Sequence, residues 1–178
     1  MVVSSLYFLF WIYQLLATRY QLLLMMRQVY LDHAATTPLD PSVKEAMLPY
    51  MEDKFANPSS FHSKGKEIKD AIQDARSQIA SILSCRPDEI LFTSGGTESD
   101  NLAILGYVRK NRAVGKHIIT SKIEHHAVLE AVIYLEKKED FEVTYLDPDK
   151  DGLISASQVE DALREDTILV SIMYANNE

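Results

Sequence analysis

Cysteine is nearly missing from this chain: Cys85 is the single one among 178 residues. That scarcity excludes an internal disulfide framework and any multi-cysteine zinc or iron–sulfur site built by the chain alone, and it fits a reducing compartment. Glycine and proline are sparse too, six of each, which excludes collagen-like repeats and a disordered low-complexity chain. Basic residues are outnumbered, 18 against 26 acidic ones, for a net charge of -8. A chain of that sign offers no general attraction for nucleic acid or anionic lipid, so direct nucleic-acid binding is not expected. What the sequence does have is 47% apolar residues, ample material for one hydrophobic core.

Charge is unevenly placed. Residues 1–26 hold no acid and one base, Arg19, whereas the rest carries every acid and all the other bases. From Leu6 to Ala17 only Gln14 is polar. An apolar helix of roughly 20 residues can cross a bilayer, which makes this segment a candidate anchor. Arg19 in its interior argues against spanning, and the missing basic start and small-residue cleavage pattern argue against a secretory signal. The other reading is an extension outside the working protein, with Met25 or Met26 as the start. The chain therefore divides into 1–26, anchor or spurious extension, and 27–178, the globular part, whose expected location is the cytoplasm unless residues 1–26 anchor it to a membrane.

The globular part reads as alternating elements. Val29–Leu31 is strand-like. Asp40 followed by Pro41 is an N-cap with proline at the first helical position, and Val43, Met47, Leu48 and Met51 recur at helical spacing, which predicts a helix over about 41–54. Asn57-Pro58-Ser59-Ser60 is a loop, and an amphipathic helix is expected over about 63–84. Strands are then expected at 89–93, 117–120, 141–146 and 167–173, with helices at 97–112, 126–138 and 155–165. Strands alternating with helices imply βαβ units, hence an α/β fold in three layers around a mostly parallel sheet. Asn177 and Glu178 follow the last apolar strand, at the sheet edge where such folds hold ligands. An end at that edge reads as a fragment, and it would leave apolar sheet edge uncovered and prone to aggregate.

Four segments could carry chemistry. Phe92-Thr93-Ser94-Gly95-Gly96-Thr97-Glu98-Ser99 joins a strand to a helix through two glycines. Backbone amides at such a helix start, with the Thr97 hydroxyl, suit a phosphate; an ordinary glycine turn is the alternative. The spacing matches neither a Walker loop nor a dinucleotide fingerprint. Ser121-Lys122-Ile123-Glu124-His125-His126 follows the next strand, where a histidine can stack on a flat ligand or move a proton, or simply sit solvated at a helix start. Asp147–Ser155 mimics the first nine positions of a calcium loop, but Gln158 stands where a bidentate glutamate is needed and a strand precedes it. A solvated acidic turn is the better reading, and no metal site is expected. Cys85, beside Arg86 and without a base or partner cysteine nearby, reads as an incidental thiol.

Taken together, Tyr30–Pro38 (YLDHAATTP), Asn57–Ser60 (NPSS), Phe92–Asn101 (FTSGGTESDN), Ser121–Leu129 (SKIEHHAVL) and Val170–Glu178 (VSIMYANNE) resemble the cysteine desulfurases, in the same order and at matching intervals. These are pyridoxal 5'-phosphate enzymes of the class-V aminotransferase group with a fold-type-I large domain, and the resemblance covers residues 28–178. It implies that Gly96 and Thr97 bind the cofactor phosphate. It implies that His125 stacks on the pyridine ring and assists proton transfer as the catalytic residue, and that Asn177 lies near the phenolic oxygen and the substrate carboxylate. His33–Thr36 and Asn57 match segments near the substrate entrance. The implied reaction removes sulfur from L-cysteine, giving alanine and an enzyme persulfide that feeds iron–sulfur cluster assembly or thiolation through a sulfur-accepting or scaffold protein, in a homodimer. In the family the Schiff-base lysine, the aspartate at the pyridine nitrogen and the nucleophilic cysteine all lie beyond the position of Asn177. Neither Lys122 nor Cys85 takes their place, so the chain alone is expected not to complete the reaction. A selenocysteine lyase-type relative and a non-catalytic binding module are the two rival readings.

Overall fold

A computed structural model describes residues 12–19 and 29–177. Most of the apolar N-terminal segment therefore lies outside the described residues; within it, 12–19 are helical. No helix among the described residues is long and apolar enough to cross a membrane. The chain separates into two units, Met1–Leu48 and Pro49–Glu178.

The first unit contains most of α1, Pro41–Met51, which opens as the sequence suggests. The Asp40 carboxylate accepts from the Ser42 amide at 2.8 Å and from its hydroxyl at 2.5 Å, and these bonds hold the carboxyl below its ordinary range. Val29–Leu31, expected as a strand, is irregular. The chain turns instead at Asp32, whose carbonyl accepts from the Ala35 amide at 3.2 Å.

The second unit carries α2 (Ser63–Leu83), a 3-10 turn (Pro87–Glu89), α3 (Gly96–Asn111), β1 (His117–Ser121), α4 (His126–Glu139), β2 (Glu142–Leu146), α5 (Ala156–Ala162) and β3 (Thr167–Ser171). The fold is α/β, with a parallel sheet of three strands in the order β2-β1-β3. Parallel neighbours need crossovers, and α4 and α5 supply them. All five residues of β1 are buried. Because successive side chains point to opposite faces, both faces of the sheet are covered at its centre. Ile104 and Val108 of α3 meet Val128, Ala131, Val132 and Leu135 of α4, with Ile118 and Phe141 completing the core. The α4 set recurs at three- and four-residue spacing, which is why an amphipathic helix forms there.

Residues 89–93 correct the sequence reading: Ile90–Thr93 form no strand. The alternation is real, but a strand exists only against a partner, and β2 and β3 terminate the described sheet without pairing to it. The Ile90 carbonyl turns to the Arg76 guanidinium instead, and that guanidinium also covers the Phe92 ring at 5.0 Å. The helix expected over 155–165 is also shorter, Ala156–Ala162.

Candidate active site

The strand order creates the site. From the centre, β1 has β2 on one side and β3 on the other, so the segments leaving β1 and β3 emerge side by side at the carboxyl edge of the sheet and line a crevice there. His125 lies on the exit from β1 and Asn177 on the exit from β3. Both line one cavity of about 180 Å³, together with Glu124, His126, Met173 and Asn176. A larger cavity of about 450 Å³ shares Ile123, Met173 and Asn176 with it and extends to the Asp151–Ile154 loop.

His125 is the N-cap of α4, and its Nδ1 accepts from the Ala127 amide at 3.0 Å. An accepting nitrogen carries no proton, which leaves Nε2 as the ring nitrogen facing away from the helix bond. His126 starts the helix, its ring centroid 6.4 Å from that of His125.

Gly96 and Thr97 open α3. Gly95, the N-cap, gives no side-chain cap, so the first-turn amides keep their polarity toward whatever lies ahead of the helix. A Cβ built on Gly95 or Gly96 would meet no atom within 4 Å, which leaves room for a ligand oxygen. The Glu98 carboxylate does not fill that room. It folds back to accept from the Ser94 amide at 2.6 Å and hydroxyl at 2.7 Å, bonds that hold it below the usual carboxylate range. Gly96 and Thr97 do not line the His125–Asn177 cavity. Asn101 links the two places: its amide donates to the Thr97 carbonyl at 2.8 Å and to the Ala127 carbonyl at 3.3 Å, joining the first turns of α3 and α4.

Sequence reasoning missed Asn101, and it missed Glu124, which is buried at the mouth of the crevice. The Asp147–Ser155 loop is held by its own bonds. Asp149 Oδ1 accepts from the Asp151 amide at 2.8 Å and the Leu153 amide at 2.9 Å, and Gln158 completes a capping box with Ser155. Cys85 is half-buried just after the α2 cap, far in sequence from these groups. His33–Thr36 belongs to the first unit; in the second, Asn57 caps its own loop by accepting from the Ser59 amide at 2.9 Å.

The donor set fits pyridoxal phosphate: uncapped helix amides and a hydroxyl for a phosphate, an imidazole for a flat ring, a carboxamide for a phenolate or carboxylate. Comparison with known proteins points the same way. Cysteine desulfurase IscS of Dictyoglomus turgidum is 56% identical over 154 residues, 86% of this chain and 39% of that protein. Cysteine desulfurase IscS of Methanosarcina thermophila is 56% identical over 152 residues, 85% of this chain and 37% of its own length. A solved structure described as SspA in complex with cysteine superposes with a TM-score of 0.80 at 47% identity, covering 85% of this chain and 43% of that one. The chain thus spans about two fifths of the curated relatives it matches. Residues 29–178 match the aminotransferase class-V family, and the chain belongs to that family of pyridoxal-phosphate enzymes.

Proposed function

We propose that this chain provides the phosphate-binding and ring-stacking part of a cysteine desulfurase site. The observation that carries the reading is the His125 and Asn177 pair around one cavity at the switch point of the sheet, in a chain whose relatives bear that name. Pyridoxal 5'-phosphate, when bound, supplies the electron sink for bond cleavage at an amino acid. The amides of Gly96 and Thr97 and the Thr97 hydroxyl would hold its phosphate at the positive end of α3. His125 would cover the ring and give or take a proton at Nε2, since Nδ1 is committed to the Ala127 amide. Asn177 would orient the phenolic oxygen and the carboxylate of L-cysteine. Asn101 fixes the phosphate end relative to the histidine by bridging the two helices.

The same reading assigns alanine and a protein persulfide as products, a sulfur-accepting or scaffold protein as partner, and a homodimer as the working form. The near-absence of cysteine supports a cytoplasmic setting. The test uses the whole protein that carries this sequence, loaded with pyridoxal phosphate. Alanine release from L-cysteine is expected, and Thr97→Val is expected to weaken cofactor affinity by roughly tenfold, the loss of one charge-assisted hydrogen bond. Release of alanine from L-selenocysteine but not L-cysteine would move the assignment to a selenocysteine lyase, and no release from either would overturn it.

A further inference from the structure

Glu124 is only 7% exposed, and among the described residues no lysine or arginine forms an ion pair with it. Acidic side chains are rarely buried without a purpose-built set of donors. Here Oε1 accepts from the Ser121 hydroxyl at 2.6 Å and from the Met173 amide at 2.8 Å. Ser121 is the last residue of β1, and Met173 lies just beyond the last residue of β3. The β1–β3 ladder stops at the pairing of Thr120 with Ser171, where the Thr120 hydroxyl also donates to the Ser171 carbonyl at 3.0 Å. Past that point, among the described residues, no backbone bond outside the strands joins the two exits. The Glu124 carboxylate joins them instead, and the Asn176 amide, donating to the Ile123 carbonyl at 3.0 Å, does so again closer to the cavity.

We infer that Glu124 is a positioning residue: it fixes the exit from β3, and with it Asn177, at a set distance from His125, its own sequence neighbour. The inference rests on the proposed site of His125 and Asn177, and it adds the group that holds the two opposite each other. One oxygen with two lone pairs is what the geometry uses, so an amide oxygen at the same reach substitutes for it, whereas a side chain one methylene shorter does not.

The whole protein, loaded with pyridoxal phosphate, is compared with its Glu124→Gln and Glu124→Asp variants by hydrogen exchange over residues 172–177, by the cofactor absorption spectrum, and by kcat and KM for L-cysteine. Glu124→Asp is expected to speed exchange of the Met173 amide, shift the cofactor band and lower kcat/KM by roughly tenfold to a hundredfold, the scale of an ångström-sized misplacement. Glu124→Gln is expected to match the unaltered protein in all three. Unchanged exchange and spectrum in Glu124→Asp would overturn the inference. So would damage in Glu124→Gln equal to that in Glu124→Asp, because charge and not hydrogen-bond reach would then matter. If the unaltered protein does not act on L-cysteine, the proposed activity fails by itself, while exchange and the cofactor spectrum still decide the role of Glu124.

Discussion

Two histidines show how neighbouring elements set one side-chain type to different work. His117 is fully buried at the start of β1, with Nδ1 2.7 Å from the Thr167 hydroxyl and Nε2 2.8 Å from the Thr144 hydroxyl, so one ring ties the central strand to both neighbours. Burial pushes its pKa below the ordinary 6.5, the Arg164 guanidinium adds to this, and Asp166 and Glu142 oppose it. The folded chain therefore resists a proton that the unfolded chain accepts. Stability is complete above the unfolded value of 6.5 and falls as pH drops below it toward the lowered folded value. Urea midpoints measured from about pH 7.5 down to about pH 5 should decline, and His117→Asn, less stable throughout, should lose that component of the slope. A slope identical in the two proteins would assign the pH dependence elsewhere. His125 is exposed and caps α4. Asparagine is itself a good cap, so His125→Asn should retain stability while His125→Ala loses about 1 kcal/mol. Both should lose the ring contact with the cofactor proposed for His125, which separates its capping from its proposed chemical role in a single pair of variants, read by thermal unfolding and by cofactor titration.

At the scale of elements, the first turn of α2 is packed against the Asn57–Ser60 loop. A Cβ added at Gly65 would stand 2.4 Å from the Ser60 carbonyl oxygen and 2.9 Å from that of Asn57, with backbone on both sides. Backbone cannot swing aside as a flexible side chain can, so Gly65→Ala should destabilise by about 1–3 kcal/mol and loosen the loop. Thermal unfolding together with proteolysis at Asn57–Ser60 checks this; a variant as stable as the parent would show that the loop yields freely. The elements also show what the sequence made legible. Helix boundaries at Ser63–Leu83, Gly96–Asn111 and His126–Glu139 fall within a residue or two of those expected, because caps and spacing are local properties. The strand at 89–93 failed because pairing is not local: Leu91 and Phe92 have the right alternation and no ladder to join among the described residues. Glu124 was invisible for a related, equally non-local reason. A glutamate beside two histidines reads as a solvated helix start, and only the meeting of two strand ends, remote in sequence, buries it.

For the molecule as a whole, two surface properties compete. The net charge of -8 favours separate molecules, whereas Ile79, Leu83, Leu91, Phe92 and Leu102 stand exposed around an apolar hollow of about 550 Å³ between α2, residues 89–93 and α3. Leu91 is 66% exposed and Leu83 63%, although both have the composition and spacing of core positions. Charge repulsion is screened over roughly 8 Å at physiological salt, while the attraction of apolar surface is not. The 178-residue chain expressed alone should therefore bind a hydrophobic dye and self-associate more strongly as salt rises. Leu83→Lys with Leu91→Lys should weaken both effects without lowering the unfolding midpoint, because neither side chain is buried in the second unit. Sedimentation velocity at low and high salt measures the association. A monomer at both, with no dye bound, would mean that the hollow is closed in solution by the chain's own rearrangement, and that the exposed leucines are core residues after all.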